Sequence, residues 1–450
     1  MKTEIKWLIG AGLILLAALI LESGLLAYAM YVLVGVMLLS RLMARDWLGR
    51  ITATRQVDRT EAEVGDRVEV RVTVRNNGAA PVPWMLLEDL LPSSALRQKP
   101  PRFTLDGRRF RISTLFGKSQ MVVKYTIECQ MRGFYQIGPL LMESGDLFGL
   151  HRRHRVETEP VFLIVYPKVI PLSGYDIASR RPIGDVRLTH RLYEDPTRIG
   201  GVRPYEAGDP MNRVHWRATA RTGSLHSKVY EPTTLAGATI LLDFHKAGYP
   251  KRGEPHRSEL AVTAAASLAN AVGVLGQQVG LASNARDAAD RLKKKVKGAM
   301  AFQTRTAARH QVEMPDDNDR LKPLQVPTRR DAEQFHHIRD LLARVELTDG
   351  LPFAQFVLEV MPRLPRDATV IAVLPDVTVE HAITLSNLKR QGFAVSVVLI
   401  MLDDETYERA YGRLMAEAIR DIRHLPSEDA LAELCQSSMH RGNPYSMVMD

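Results

Sequence analysis

The sequence predicts an α+β multidomain chain in three parts: an N-terminal transmembrane helical hairpin, a small antiparallel β-sandwich, and a doubly wound α/β domain on a parallel sheet. Three observations point there. An apolar run with a single charge opens the chain, period-two alternation follows, and unalternating apolar segments separated by helical ones fill the second half. At 450 residues, 45% hydrophobic and 25% charged, the chain is long enough for two or three cores and has an ordinary globular composition. Its net charge of +9 admits anionic partners without demanding them.

The hairpin is read from Trp7 to Trp47. Between Leu8 and Ser40 the only charge is Glu22. As one helix this run would span roughly 50 Å, too long for a hydrocarbon core of about 30 Å. A break at Glu22-Ser23-Gly24 gives two short apolar helices, assigned to residues 1–45. Lys2 and Lys6 precede the pair, and Arg41, Arg45 and Arg50 follow it. By the positive-inside bias both ends lie in the cytoplasm, which places the bulk of the chain there. The competing reading is a signal peptide cleaved near Ala27-Tyr28-Ala29, but the apolar run continues past that point. Cys129 and Cys435 have no metal-pair spacing and are read as buried thiols rather than a disulfide.

Residues 51–168 carry the sandwich. "DRVEVRVTVRNNG" puts Val68, Val70, Val72 and Val74 on one face, and Asn77-Gly78 supplies a turn. "QMVVKYTIECQ" alternates likewise, and "VFLIVYPKV" is a further strand. His151 and His154, beside arginines, read as a solvated strand end rather than a metal site.

Residues 235–425 carry the α/β domain. "ATILLDF", "QVGLASN", "ATVIAVLPDV" and "AVSVVLIML" are continuous apolar runs, with helices predicted over 258–276, 378–391 and 404–423. Unalternating strands separated by helices imply a parallel sheet covered on both faces. Such sheets place sites at strand carboxyl ends, where Asp243 and Asp376 fall. A charged insertion with a partly disordered loop is expected over 286–332, and a loose tail over 426–450.

Residues 169–234 connect the two domains and hold the densest functional pattern, "GVRPYEAGDPMNRVHWRATARTGSLHSKVYEP". Asp209, His215 and Ser224 have the residue types of a triad, but no nucleophile elbow surrounds Ser224. Cations beside an aromatic suit nucleic acid, yet Glu206, Asp209 and Glu231 offset much of the charge, so nucleic acid is not the expected partner. The favoured reading is a structural network. Asp209 would accept bonds from Arg213 or Arg221, with Trp216 and Leu225 buried beside them. A docking surface for a partner overlaps that reading.

Arg203, Tyr205, Gly208, Asp209, Arg213, Trp216, Thr219, Ala220, Arg221 and Leu225, together with "RGFYQIGP…GDLFGL" and "VYPK", resemble the motifs of the bacterial domain-of-unknown-function family 58. The resemblance implies a von Willebrand factor A-like α/β domain and association with MoxR-type AAA+ ATPases, working on client proteins that the sequence does not name. Domains of that type often hold a divalent ion through a D-x-S-x-S loop. Here the loop reads Asp243-Phe244-His245-Lys246-Ala247, and Thr348 and Asp376 stand as the matching later ligands. Both serines are replaced and Lys246 would repel a cation, so no cofactor is expected. Together these readings describe a non-enzymatic, cytoplasm-facing scaffold or adaptor, anchored in the inner membrane bilayer, that binds proteins. The alternative is a metal-dependent enzyme or ligand-binding domain using Asp243 and Asp376.

Overall fold

The computed structural model describes residues 49–145, 152–172, 194–206, 211–232, 237–291, 300–302, 304–312, 321–366 and 368–434, with parts of 10–36. The chain forms two compact units. The first comprises Met1–Lys168, Asp287–Asp319 and Asp340–Val345, and the second comprises Val169–Arg286, Arg320–Arg339 and Glu346–Asp450.

The transmembrane hairpin expected over 1–45 needs correction. Among the described residues no helix is long and apolar enough to cross a membrane. Beyond that region the chain is rich in strands. Apolar composition alone over-read the span.

The first unit is β structure: β1 (Ile51–Val57), β2 (Glu61–Glu63), β3 (Arg67–Asn76), β4 (Val82–Asp89), helix α1 (Ser93–Arg97), β5 (Phe103–Gly107), β6 (Phe110–Leu115), β7 (Gln120–Cys129), β8 (Gly133–Ile137), β9 (Leu140–Gly145), β10 (Arg152–Glu157) and β11 (Val161–Tyr166), antiparallel except where β2 and β11 pair in parallel. One sheet runs β1-β3-β7-β5 and another contains β10-β9-β4-β6. Val68, Val70, Val72 and Val74 of β3 are all buried, and they share one core with Val123, Tyr125 and Ile127 of β7 and Met85, Leu87 and Met142 of the facing sheet. Period-two alternation therefore delivers one apolar face per strand to a common interior. Cys129 is buried in that core as a free thiol, and burial pushes its pKa up to about 11. Cys435 lies outside the described residues.

A polar network sits inside this core. Arg55 and Asp89 form an ion pair whose side chains are both buried, and the Tyr125 hydroxyl donates to Asp89 Oδ2 at 2.6 Å. Burial, and then the Asp89 charge, raise the Tyr125 pKa well above its ordinary value. His154 departs from the expected solvated strand end. It is buried, with Nε2 3.5 Å from Glu143 Oε2, because its cross-strand neighbour on β9 is that glutamate. His151 is outside the described residues.

The second unit begins with β12 (Glu194–Pro204), helix α2 (Trp216–Thr222) and β13 (His226–Pro232). It continues through β14 (Gly237–Leu242), α3 (His256–Val274), β15 (Gln278–Ser283) and the two-residue β16 (Arg286–Asp287). Next, β17 (Met300–Phe302) and α4 (Arg305–Val312) fall in the segment that belongs to the first unit. Then come β18 (Leu324–Arg329), α5 (Gln334–Arg344), β19 (Val345–Glu346), α6 (Phe353–Val360), β20 (Thr369–Leu374), α7 (Val379–Arg390), β21 (Val395–Ile400), α8 (Asp404–Ala416) and β22 (Ile422–Leu425), of which Asp340–Val345 count with the first unit.

The main sheet has the order β18-β15-β14-β20-β21-β22. All its neighbours are parallel except β18, which runs antiparallel to β15. Every residue of β14 and β20 is buried, as a sheet covered on both faces requires. Phe353, Phe356 and Val357 of α6, Leu385 and Leu388 of α7 and Leu414 of α8 pack with Val370, Ala372 and Val397 of the strands. Ala-rich α3 contributes twelve buried residues, small side chains that let it lie close to the sheet.

Two local expectations differ from the structure. The region 286–332, read as a charged insertion, supplies β17 to the first unit and β18 to this sheet. Its charges concealed the strands because their partners lie far away in sequence. The C-terminal helix stops at Ala416, Ala418 adopts positive φ, and the chain turns into β22.

Removing the Asp89 carboxylate strands the buried Arg55 guanidinium. Asp89→Ala should therefore lower the stability of the first unit by about 3–5 kcal/mol, measured by thermal or urea unfolding. A loss within experimental error would show that water already solvates this pair.

Candidate functional site

The order of the main sheet fixes where a site can form. β14 sends the chain through α3 to β15 on one side, while β20 lies on its other side. The strand order thus reverses at β14, and the crevice beyond the carboxyl ends of β14 and β20 is the switch point. Asp243 follows β14, Asn284 follows β15 and Asp376 follows β20.

Asp243 is buried there. Its Oδ1 accepts from Asn284 Nδ2 at 2.8 Å and from the His245 amide at 3.2 Å. Asn284 is fully used: Oδ1 accepts from the Phe244 amide at 2.7 Å, and Nδ2 also donates to the Leu351 carbonyl at 3.0 Å. The Tyr249 hydroxyl donates to the Asp243 carbonyl at 2.8 Å. Burial raises the Asp243 pKa above the ordinary 3.8, opposed by the Asn284 hydrogen bond, the charge of His381 and the His245 contacts.

Thr348 is brought to the same loop. Its amide donates to the Phe244 carbonyl at 3.1 Å, and its carbonyl accepts from the Lys246 amide at 2.7 Å. Its hydroxyl accepts from the Gly350 amide at 3.0 Å. Asp376 is half-buried, and its Oδ1 accepts from the Val377 amide at 2.7 Å. The Asp376 carbonyl lies 3.1 Å from His381 Nδ1, and that histidine closes a capping box with Thr378 at the start of α7. Arg257 of α3 donates to the carbonyls of Ile400 and Pro375, tying together the ends of β20 and β21.

Asp243 Oδ1 and Thr348 Oγ1 already accept from amide groups, and the Lys246 ammonium, 3.5 Å from Asp349, adds positive charge to the rim. Among the described residues no group of three His, Cys, Asp or Glu is placed to hold a metal ion. Asp243, Thr348 and Asp376 brace the loops after their strands by hydrogen bonding. Sequence reasoning missed Asn284, His381 and Arg257. Asn284 stands directly after an apolar run, the same signal that marked Asp243.

The 201–232 segment forms a small module of its own. β12 pairs antiparallel with β13, Arg203 opposite Ser227 and Pro204 opposite His226. Val214 bridges Ser227, and both are buried. Helix α2 is capped by His215, whose Nδ1 accepts from the Ala218 amide at 3.0 Å. It ends at Gly223, whose φ of 73° is the left-handed conformation that glycine adopts without a Cβ penalty. The Thr219 hydroxyl accepts from the His226 amide at 3.1 Å, fastening the helix to β13.

Several sequence expectations change here. Trp216 is 64% exposed and Leu225 is exposed too, whereas burial was expected for both. No residue of α2 is buried. A helix of seven residues fastened through its own cap and Thr219 has no interior in which to place an indole. Gly208 and Asp209 lie outside the described residues, so the Asp209 network does too. Tyr205 is held through its amide to the Leu225 carbonyl, and Arg203 pairs with Glu206 at 3.4 Å. Arg213 ends a 3-10 turn, Met211–Arg213. Arg217 and Arg221 stand one turn apart on α2, exposed and without an ion pair among the described residues. His215 is spent on the cap, so its Nδ1 is not directed at Ser224.

The raised Asp243 pKa yields a signed prediction. The folded state binds the proton more tightly than the unfolded chain. This group's stabilising contribution is therefore largest below pH 3.8 and is lost as pH rises toward the folded value. Asp243→Asn removes that penalty while its Oδ1 keeps both acceptor roles. The variant should melt at or above wild type at pH 7.5, with the difference shrinking as pH falls toward 4. A variant that melts well below wild type at pH 7.5 would show that the ionised carboxylate holds the loop.

Comparison with known proteins gives a match for part of the chain. The curated "Uncharacterized protein YeaD" of Bacillus subtilis (strain 168) is 27% identical over 297 residues, spanning 63% of this chain and 71% of that protein. Among solved structures, the CARDB domain of the PF1109 protein from Pyrococcus furiosus is 15% identical, covering 26% of this chain and 91% of that one at a TM-score of 0.17. Proximal thread matrix protein 1 from the mussel byssus is 10% identical, covering 45% of this chain and 47% of that one at 0.29. Scores that low carry no argument about fold. None of these matches names a von Willebrand factor A domain or a MoxR-type ATPase. The module and the switch-point residues through Thr348 fall within residues 201–353, which match the family model described as "Protein of unknown function DUF58".

Proposed function

We propose that this chain is a protein-binding scaffold or adaptor, and that the α2 module is its binding surface. The observation that carries the reading is the exposure of Trp216 on a helix with no buried residue, beside the exposed cations Arg217 and Arg221, which have no ion pair among the described residues. An exposed tryptophan contributes little to the fold that presents it. Tryptophan and arginine are also the side chains that most often anchor protein interfaces. The switch-point crevice fits the same reading, because Asp243 Oδ1, Thr348 Oγ1 and Asp376 Oδ1 each accept from a backbone amide that braces a loop.

The partner class follows from the motif resemblance: a MoxR-type AAA+ ATPase, with the chain assisting assembly or activation of client proteins. A rigid cationic surface around an indole suits an acidic, partly apolar face on that ATPase. Anchoring in a membrane has no part in this proposal.

Trp216→Ala should leave the melting temperature within about 2 °C of wild type, because its exposed ring buries little on folding. Affinity for a MoxR-type ATPase, measured by interferometry with purified proteins, should fall at least tenfold. Unchanged affinity in Trp216→Ala and in the double variant Arg217→Ala/Arg221→Ala would remove the module from the interface.

A further inference from the structure

The first unit carries a segment that arrives from far along the chain and occupies a ready-made site. β17 adds to the free edge of β10, with His154 opposite Phe302 and Val156 opposite Met300. The next element, α4, places Arg305 and Arg309 on Glu88 of β4. That carboxylate is buried, and both of its oxygens are used. Oε2 accepts from Arg305 Nε at 3.0 Å and also from its Nη2, while Oε1 accepts from Arg309 and, at 3.3 Å, from Arg109. The Arg305 guanidinium also lies 5.6 Å from the Phe110 ring centroid. Ala308, between the two arginines, is fully buried against Leu90, Leu141 and Val156, with Phe302 beside them.

This attachment is separate from the main core. Its apolar contacts form a cluster of their own, and its strand pairing covers three residues. The segment is therefore held by one buried carboxylate, one short ladder and a small apolar patch, which places it at the low-stability end of the unit. Without it β10 becomes an edge strand with open backbone donors and acceptors, and Glu88 loses two of its three cations.

We propose that the β10 edge and the Glu88 carboxylate form a peptide-binding site, which residues 300–312 occupy as a displaceable plug. The ligand class is set by the resident segment: a segment of another protein with two or three extended residues, then a helical turn bearing two arginines four positions apart around a small apolar residue. The extended part adds a strand to the sheet, and the arginine pair reads the carboxylate. Removing the plug's own arginines opens the site to a competitor.

The test uses the full chain and a fluorescent peptide of residues 298–314, followed by anisotropy. Arg305→Ala/Arg309→Ala should bind the peptide at least tenfold more tightly than wild type, because the internal competitor is weakened. Ala308→Glu, which displaces the plug without touching the arginines, should do the same. Adding Glu88→Gln to either variant should weaken binding roughly tenfold or more, as should replacing both arginines in the peptide with alanine. Circular dichroism of each variant, matching wild type, confirms that the unit is folded. The proposal is overturned if neither opened variant binds the peptide, or if Glu88→Gln leaves binding unchanged. It is also overturned if the opened variants instead form dimers, which would assign the site to a second copy of the chain.

Discussion

Burial of the main sheet on both faces is the constraint from which the rest of the second unit follows. Strands β14 and β20 have no solvent face, so they admit almost nothing but apolar side chains. Polar chemistry is pushed to the strand ends, and the reversal of strand order at β14 decides which end is open. Asp243, Asn284 and Asp376 lie where that geometry leaves room for them. Their hydrogen bonds are nevertheless internal. Asn284 alone links the β14 loop, the Asp243 carboxyl and the Leu351 carbonyl. The crevice is thus a braced end of the sheet, stiffened further by Arg257 across β20 and β21.

The α2 module is built on the opposite principle. Its fixity comes from local hydrogen bonds, a histidine cap, a left-handed glycine and the Thr219 tie to β13, rather than from an apolar interior. That arrangement leaves Trp216 and two arginines exposed. An exposed indole costs solubility and contributes little stability, so its presence points to recognition. The first unit shows the complementary case. Arginines in a region that reads as solvated charge are bound to a single buried glutamate more than two hundred residues earlier in the chain.

Much of the fold was legible in the sequence because periodicity reports burial directly. The valines of β3 alternate and are buried in alternation, and the unbroken runs that form β14, β20 and β21 are buried throughout. What escaped depended on distant partners. β17 and α4 look like a charged loop until Glu88 is placed beside them, and His154 looks solvated until Glu143 is its neighbour. The N-terminal span was over-read from composition. In the site, Asp243 was visible at a strand end, but Asn284 was passed over because an amide carries no charge to draw the eye. Trp216 was expected to be buried beside an Asp209–arginine network, and a seven-residue helix with no buried position offers it no interior.

The central claim is that Trp216 is an interface residue presented to solvent until a partner covers it. The direct measurement is acrylamide quenching of a chain in which Trp7, Trp47 and Trp84 are replaced by phenylalanine, leaving Trp216 as the sole emitter. The account predicts strong quenching and red-shifted emission for the free chain, with protection and a blue shift when a MoxR-type ATPase is added to saturation. Emission that is already blue-shifted and shielded in the free chain, or quenching unaffected by bound ATPase, would contradict it.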